Sequence, residues 1–160
     1  MNKKVKVISL IILTCYITPF SFSQKKIETD AAVEYKTKYL AALRKGDIES
    51  AKKSLITAKD FIDQAIKHID TKDSQKTNWL KGEIYANFLI LGMKAQDTNF
   101  MKLAGENAIN ESIAAFKHGY GLGKKMKSDY QESVESKAYM LNKIANMAYS
   151  AEKFKEAAEL

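Results

Sequence analysis

Apolar positions recur along the chain at intervals of three and four residues. Ile48, Ala51, Leu55, Ala58, Ile62, Ala65 and Ile69 form the longest such stripe. With 3.6 residues per turn, they share one face of a helix about six turns long. Asp47, just after Gly46, is the expected N-cap. Ala31, Tyr35, Tyr39 and Ala42 make a shorter stripe upstream, closed by Lys45-Gly46. Leu80, Ile84, Phe88 and Leu91 make a third, and Ile109, Ile113 and Phe116 a fourth. Val134, Ala138, Leu141, Ala145 and Ala148 make a fifth, with Asp129 and Glu132 spaced as a capping box before it. A sixth helix is expected to begin near Glu152. Breaks fall near Gly46, at 71–74, at 96–98 and at 119–128. No Asn-Gly or Asp-Gly turn separates alternating apolar runs, so the expectation is all-α with no strand.

The first 23 residues have a different pattern. Lys3, Lys4 and Lys6 precede a 14-residue apolar run, Val7 to Phe20, followed by Ser21-Phe22-Ser23. Spanning a bilayer takes ~20 apolar residues, so the run is too short for that. A cationic start, a short apolar run and small residues after it predict a secretory signal peptide over 1–23, cleaved before Gln24. Export to the periplasm or beyond is the expected location. Leu13-Thr14 before Cys15 does not make a lipobox, so a lipid anchor at Cys15 is not expected. Cleavage removes three lysines and no acid, which lowers the net charge from +7 to +4. The only cysteine and the only proline leave with them. A proline-free chain can run long unkinked helices, and a chain without thiols suits an oxidising compartment. With 46% apolar and 28% charged residues, the mature part, 24–160, has the composition of one folded domain.

A repeat underlies the periodicity. Ile48, Ala51, Leu55 and Ala58 have the same offsets as Ile109, Ser112, Phe116 and Gly119, and Phe154 with Ala157 begins the pattern a third time. Small residues recurring around a large one mark close helix crossings in stacked helix hairpins. The stretch from Lys76 to Tyr85, with Gly82 in a small slot and Tyr85 in an aromatic slot, resembles the first helix of a tetratricopeptide repeat. The run from Ala58 to Ala65 resembles the join between such repeats in exported bacterial members. The resemblance covers about 31–160. It implies an α-solenoid of antiparallel hairpins over about 31–69, 75–118 and 129–160, the last incomplete, with further repeats once following. Tyr39, Ala42 and Ala148 depart from the pattern. So do the 30 positions from Gly82 to Ser112, where the family has about twelve. A longer turn or longer helices near Gln96 are expected to absorb the excess.

The resemblance also implies what the domain does. Stacked hairpins leave a concave face lined by the first helix of each pair, and such a face binds an extended peptide or a partner helix. Its lining would include Lys36, Leu40, Lys76, Trp79, Glu83, Tyr139, Asn142 and Asn146. Leu40 and Leu80 stand where the family's carboxylate clamp has Asn, so capture of a C-terminal carboxylate is not expected. The expected function is therefore an exported, non-enzymatic scaffold for a protein or peptide, without cofactor or metal. An envelope coiled-coil or bundle assembly protein is the alternative, because the 48–69 stripe also fits heptads. An exported enzyme with an unrecognised site is the remaining one.

Candidate chemistry is thin. His68 and His118 are the only histidines, and neither belongs to a His-x₃-His pair. No nucleophile, base and orienting group occur together. The glycines from 119 to 123 before Lys124-Lys125 fail as a phosphate loop. His118 stands where the first glycine belongs, Lys125 where the hydroxyl belongs, and a helix precedes instead of a strand. Lys117, Lys124, Lys125 and Lys127 form a basic patch suited to anionic lipid or polysaccharide, hence to association with the envelope. Nucleic acid is not an expected partner, because no aromatic-interleaved basic groove is present.

Overall fold

The computed structural model describes residues 25–150. The expected signal peptide, its expected cleavage point and the helix expected near Glu152 lie outside them. The described chain is all-helical, and no strand occurs in it.

The first helix, α1, covers 25–45 and contains a π-helical stretch at Val33–Tyr39. There the Leu40 N–H reaches back five residues to the Tyr35 carbonyl. This wider turn holds Tyr35 and Tyr39 buried and stacked, with ring centroids 5.4 Å apart. Gly46 ends α1 in the left-handed conformation, φ 73°, which glycine adopts without strain. Asp47 caps α2 (Ile48–Ala65) by accepting the Ser50 N–H at 3.0 Å, as the sequence predicts. Ala31, Tyr35, Tyr39 and Ala42 of α1 are buried, as are Ala51, Leu55, Ala58, Ile62 and Ala65 of α2. The two ends of the α2 stripe depart from expectation. Ile48 sits at the exposed first turn, and Ile69 is 71% exposed in the turn after the helix has ended.

After that turn comes α3 (Gln75–Lys94), capped by the Ser74 side chain. It is buried on nearly every side, including the whole Leu80, Ile84, Phe88, Leu91 stripe. A helix apolar or buried all round is one surrounded by others, and α3 is the central rod. The excess residues after it fold as α4 (Thr98–Lys102), a short helix capped by Asp97. Its Phe100 stacks on Phe88 at 4.8 Å. Helix α5 (Ala108–Gly121) returns antiparallel to α3. Lys81 meets Glu111, the Ser112 hydroxyl donates to the Gly82 carbonyl at 2.7 Å, and Gln75 meets the Gly119 carbonyl. Gly82 lets the Phe116 ring approach, since a Cβ there would lie 2.5 Å from it.

Helix α6 (Lys127–Ser150) begins two residues before Asp129, so Asp129 lies inside its first turn and is not its cap. The α6 stripe is displaced here, and one position of the α5 stripe departs from it. Ile113 is 51% exposed, while α5 buries Phe116 of the expected stripe, Ser112 and Gly119 of the repeat pattern, and Ala108 and Ala115 beside them. Val134 is 46% exposed, Ala138 is exposed and Leu141 is half-buried. The residues of α6 that face α3 are Tyr130, Ser133 and Lys137.

Contacts across the chain fix the arrangement of α1, α3 and α6. Tyr35 meets Glu83 and Tyr39 meets Asn87, both 48 residues apart. Trp79 meets Ser133, 54 residues apart, and Glu83 meets Lys137 at the same offset. Constant positive offsets mean that the three helices run parallel, side by side, with α3 in the middle.

Candidate functional site

The parallel helices converge on Glu83. This carboxylate is 4% exposed and accepts the Tyr35 hydroxyl proton. Lys137 of α6 supplies its counter-charge at 3.1 Å. Asn87, one turn along α3, donates to the Tyr35 hydroxyl at 3.0 Å and to the Glu83 carbonyl at 2.8 Å, and accepts from Tyr39 at 2.9 Å. No buried side-chain polar atom of the cluster lacks a partner, which a buried ion requires. Burial, and then the Glu83 charge, push the Tyr35 and Tyr39 hydroxyls well above the usual phenol range. Both stay protonated and able to donate.

Trp79 lies one turn before Glu83, half-buried between α1 and α6. Its ring stands edge-on to Tyr35 at 6.3 Å. Its indole N–H donates to the Ser133 hydroxyl at 2.9 Å. The Lys36 ammonium sits 4.3 Å over the ring face, a cation–π contact. Lys36 is exposed, so one rim of the indole is covered by a side chain that can move off it.

The structure thus brings Lys36, Trp79 and Glu83 together. Lys76 lies one turn away, bridging to Glu28 of α1 at 2.9 Å. Leu40 packs half-buried against the core. Tyr139, Asn142 and Asn146 are not brought to this place. At about 100° per residue, their positions after Ser133 put all three on the side of α6 turned away from α3. Tyr139 is 70% exposed there, and Asn146 donates to Asn142 at 3.4 Å. Sequence reading missed Tyr35, Asn87, Ser133 and Lys137 as members of the cluster. The signal for the first two was available, because Tyr35 and Tyr39 repeat the four-residue spacing of Glu83 and Asn87.

The histidines have their own partners outside this cluster. His118 Nε2 lies 2.9 Å from Asp73, and His68 Nδ1 accepts the Asp70 N–H at 3.3 Å. No group of three potential metal ligands occurs among the described residues. No helix among them is long and apolar enough to cross a membrane. Of the basic patch, Lys117 is exposed on α5, Lys124 and Lys125 are exposed in the turn, and Lys127 opens α6 with its ammonium 4.8 Å over the Tyr120 ring. In comparisons with family models, curated proteins and solved structures, nothing matches this chain.

Proposed function

We propose that the chain is an exported, non-enzymatic scaffold of the tetratricopeptide type, which binds a protein or peptide on the face centred on Trp79. In this reading α1 with α2 and α3 with α5 are two hairpins of a solenoid, and α6 opens a third. The observation that supports it best is the parallel row of α1, α3 and α6 at fixed offsets. Such a row is what stacked hairpins present on one side, and it leaves a lined trough instead of a closed bundle. Within the trough the half-covered indole of Trp79 offers the large, rigid apolar surface that anchors partners, with Lys36 as its polar rim. The Glu83 cluster beneath holds the indole's neighbours still.

Pull-down from an envelope fraction tests this, using the wild-type chain, Lys36→Glu and Trp79→Ala as baits. Lys36 is exposed, so its replacement leaves the fold intact. A specific partner recovered with wild type should fall about tenfold or more with both variants, the loss typical of a central anchor. Recovery equal in all three baits would refute the Trp79 face.

A further inference from the structure

A groove of about 710 Å³ opens between α5 and α6, with α3 as its floor. Leu89 and Phe116 are buried at its base, while Ile113 and Val134 are about half exposed at its mouth. Ile109 and Leu141 extend it away from the α5–α6 turn. At the turn end it is bounded by Lys117 and Tyr120. Lys117 also belongs to the basic patch, and Tyr120 carries the Lys127 ammonium on its ring. No acidic residue occurs in the sequence between Glu111 and Asp129. Asp73, which reaches α5, is taken by His118 and Lys72. Glu135 and Gln131 line the α6 wall, and both are exposed.

One end of the groove is thus cationic and its length is apolar. We infer that groove and patch together form a site for a long-chain fatty acid, the acyl chain along Ile113, Val134 and Leu141 and the carboxylate on Lys117 and the turn lysines. The volume falls in the range of about 300–1,000 Å³ common to small-molecule sites, which are mostly apolar with a few polar groups fixing orientation. A carboxylate satisfies the clustered ammonium charges, and burying Ile113 and Val134 removes exposed apolar surface from water. Lys137 also lines the groove with its ammonium held by Glu83 at 3.1 Å, whereas Trp79 and Lys36 do not line it, so the anchor proposed above and this site are separate surfaces.

Titration of the full chain with palmitate, followed by NMR of the Ile and Val methyl groups, tests it. Palmitate should shift the Ile109, Ile113 and Val134 methyls, and Ile113→Asp should abolish binding while keeping the helical circular dichroism. Lys117→Glu should weaken binding about tenfold, the loss of one charge-assisted contact, and Lys117→Arg should retain it. Hexadecanol, with the same tail and no charge, should bind more weakly. Equal binding of the alcohol would overturn the assignment. So would unmoved groove methyls, the outcome expected if residues 151–160, a second copy or a partner's helix covers this surface instead.

Discussion

Glu83 is a carboxylate placed where only its partners make it tolerable. Taking an ion from water costs several kcal/mol, and the return depends on the counter-charge and hydrogen bonds all being present. Here Lys137, Tyr35 and Asn87 provide them from α6, α1 and α3. Glu83→Ala leaves the Lys137 ammonium without its counter-charge in a half-buried site. The variant should lose about 3 kcal/mol of unfolding free energy, read from the urea midpoint at unchanged slope. Glu83→Leu combined with Lys137→Met should recover much of that, because an apolar pair of similar volume avoids the desolvation cost altogether. Tyr35→Phe should cost about 1–2 kcal/mol, since Asn87 and Glu83 each lose a partner while buried. At this scale the sequence was legible only in part. It marked Glu83 and Trp79 as positions of interest. It did not show that Glu83 is buried, because its hydrogen-bond donor lies 48 positions before and its counter-charge 54 after.

Among the elements, what could be read was whatever depends on neighbouring residues. The α1, α2 and α3 stripes, the Asp47 cap and the breaks after Lys45 and Lys94 follow from spacing and turn chemistry within a few positions. The face of α6 does not, and that of α5 does only in part, since Ser112, Phe116 and Gly119 are buried but Ile113 is exposed. Periodicity finds the most apolar face of a helix, and Val134, Ala138 and Leu141 are that face of α6. The contact with α3 is made by Tyr130, Ser133 and Lys137, because the polar atoms of Trp79, Glu83 and Gln75 select them. The apolar face is left on the groove. Gly82 and Gly119 show how closely the rods approach. Alanine normally favours a helix over glycine by roughly 0.5–1 kcal/mol. At Gly82 the added methyl meets the Phe116 ring, and overpacking costs about 1–3 kcal/mol, so Gly82→Ala should be net destabilising by about 1 kcal/mol. Gly119→Ala should be worse, because its Cβ overlaps the Tyr130 hydroxyl that donates to the Gln75 carbonyl. Gly121, with nothing within 4 Å, is the control, and Gly121→Ala should leave the urea midpoint unchanged or raise it.

The whole molecule is held by pairings between helices far apart in sequence, and several of them titrate. Glu28 of α1 receives hydrogen bonds from Ser74 and Thr77 and a bridge from Lys76, all at the start of α3. Burial raises its pKa, but these bonds together outweigh burial and hold it below the ordinary 4.5. Asp97 is also lowered, first by Lys52 of α2 and then by the Phe100 N–H it caps, and Asp47 by the Ser50 group it caps. A carboxylate bound more strongly as the anion in the folded state adds stability above its unfolded pKa. That stability is lost as pH falls through the lowered folded value. At the alkaline end the sign reverses. Burial raises the Tyr35, Tyr39, Tyr85 and Tyr130 pKa values well above 10, so the stability they add is present below 10 and is lost above it. The unfolding free energy should therefore be flat from near neutrality to pH ~10 and fall at both ends. Only the acid limb depends on Glu28, which joins α1 to α3 at the end opposite Gly46. Glu28→Gln should lower stability on the plateau and make the decline below pH 4.5 shallower, so that the two curves converge in acid. Urea titrations at a series of pH values measure this. Parallel curves, offset by the same amount at every pH, would mean that Glu28 ties the two helices through its neutral hydrogen bonds alone and that its charge is idle.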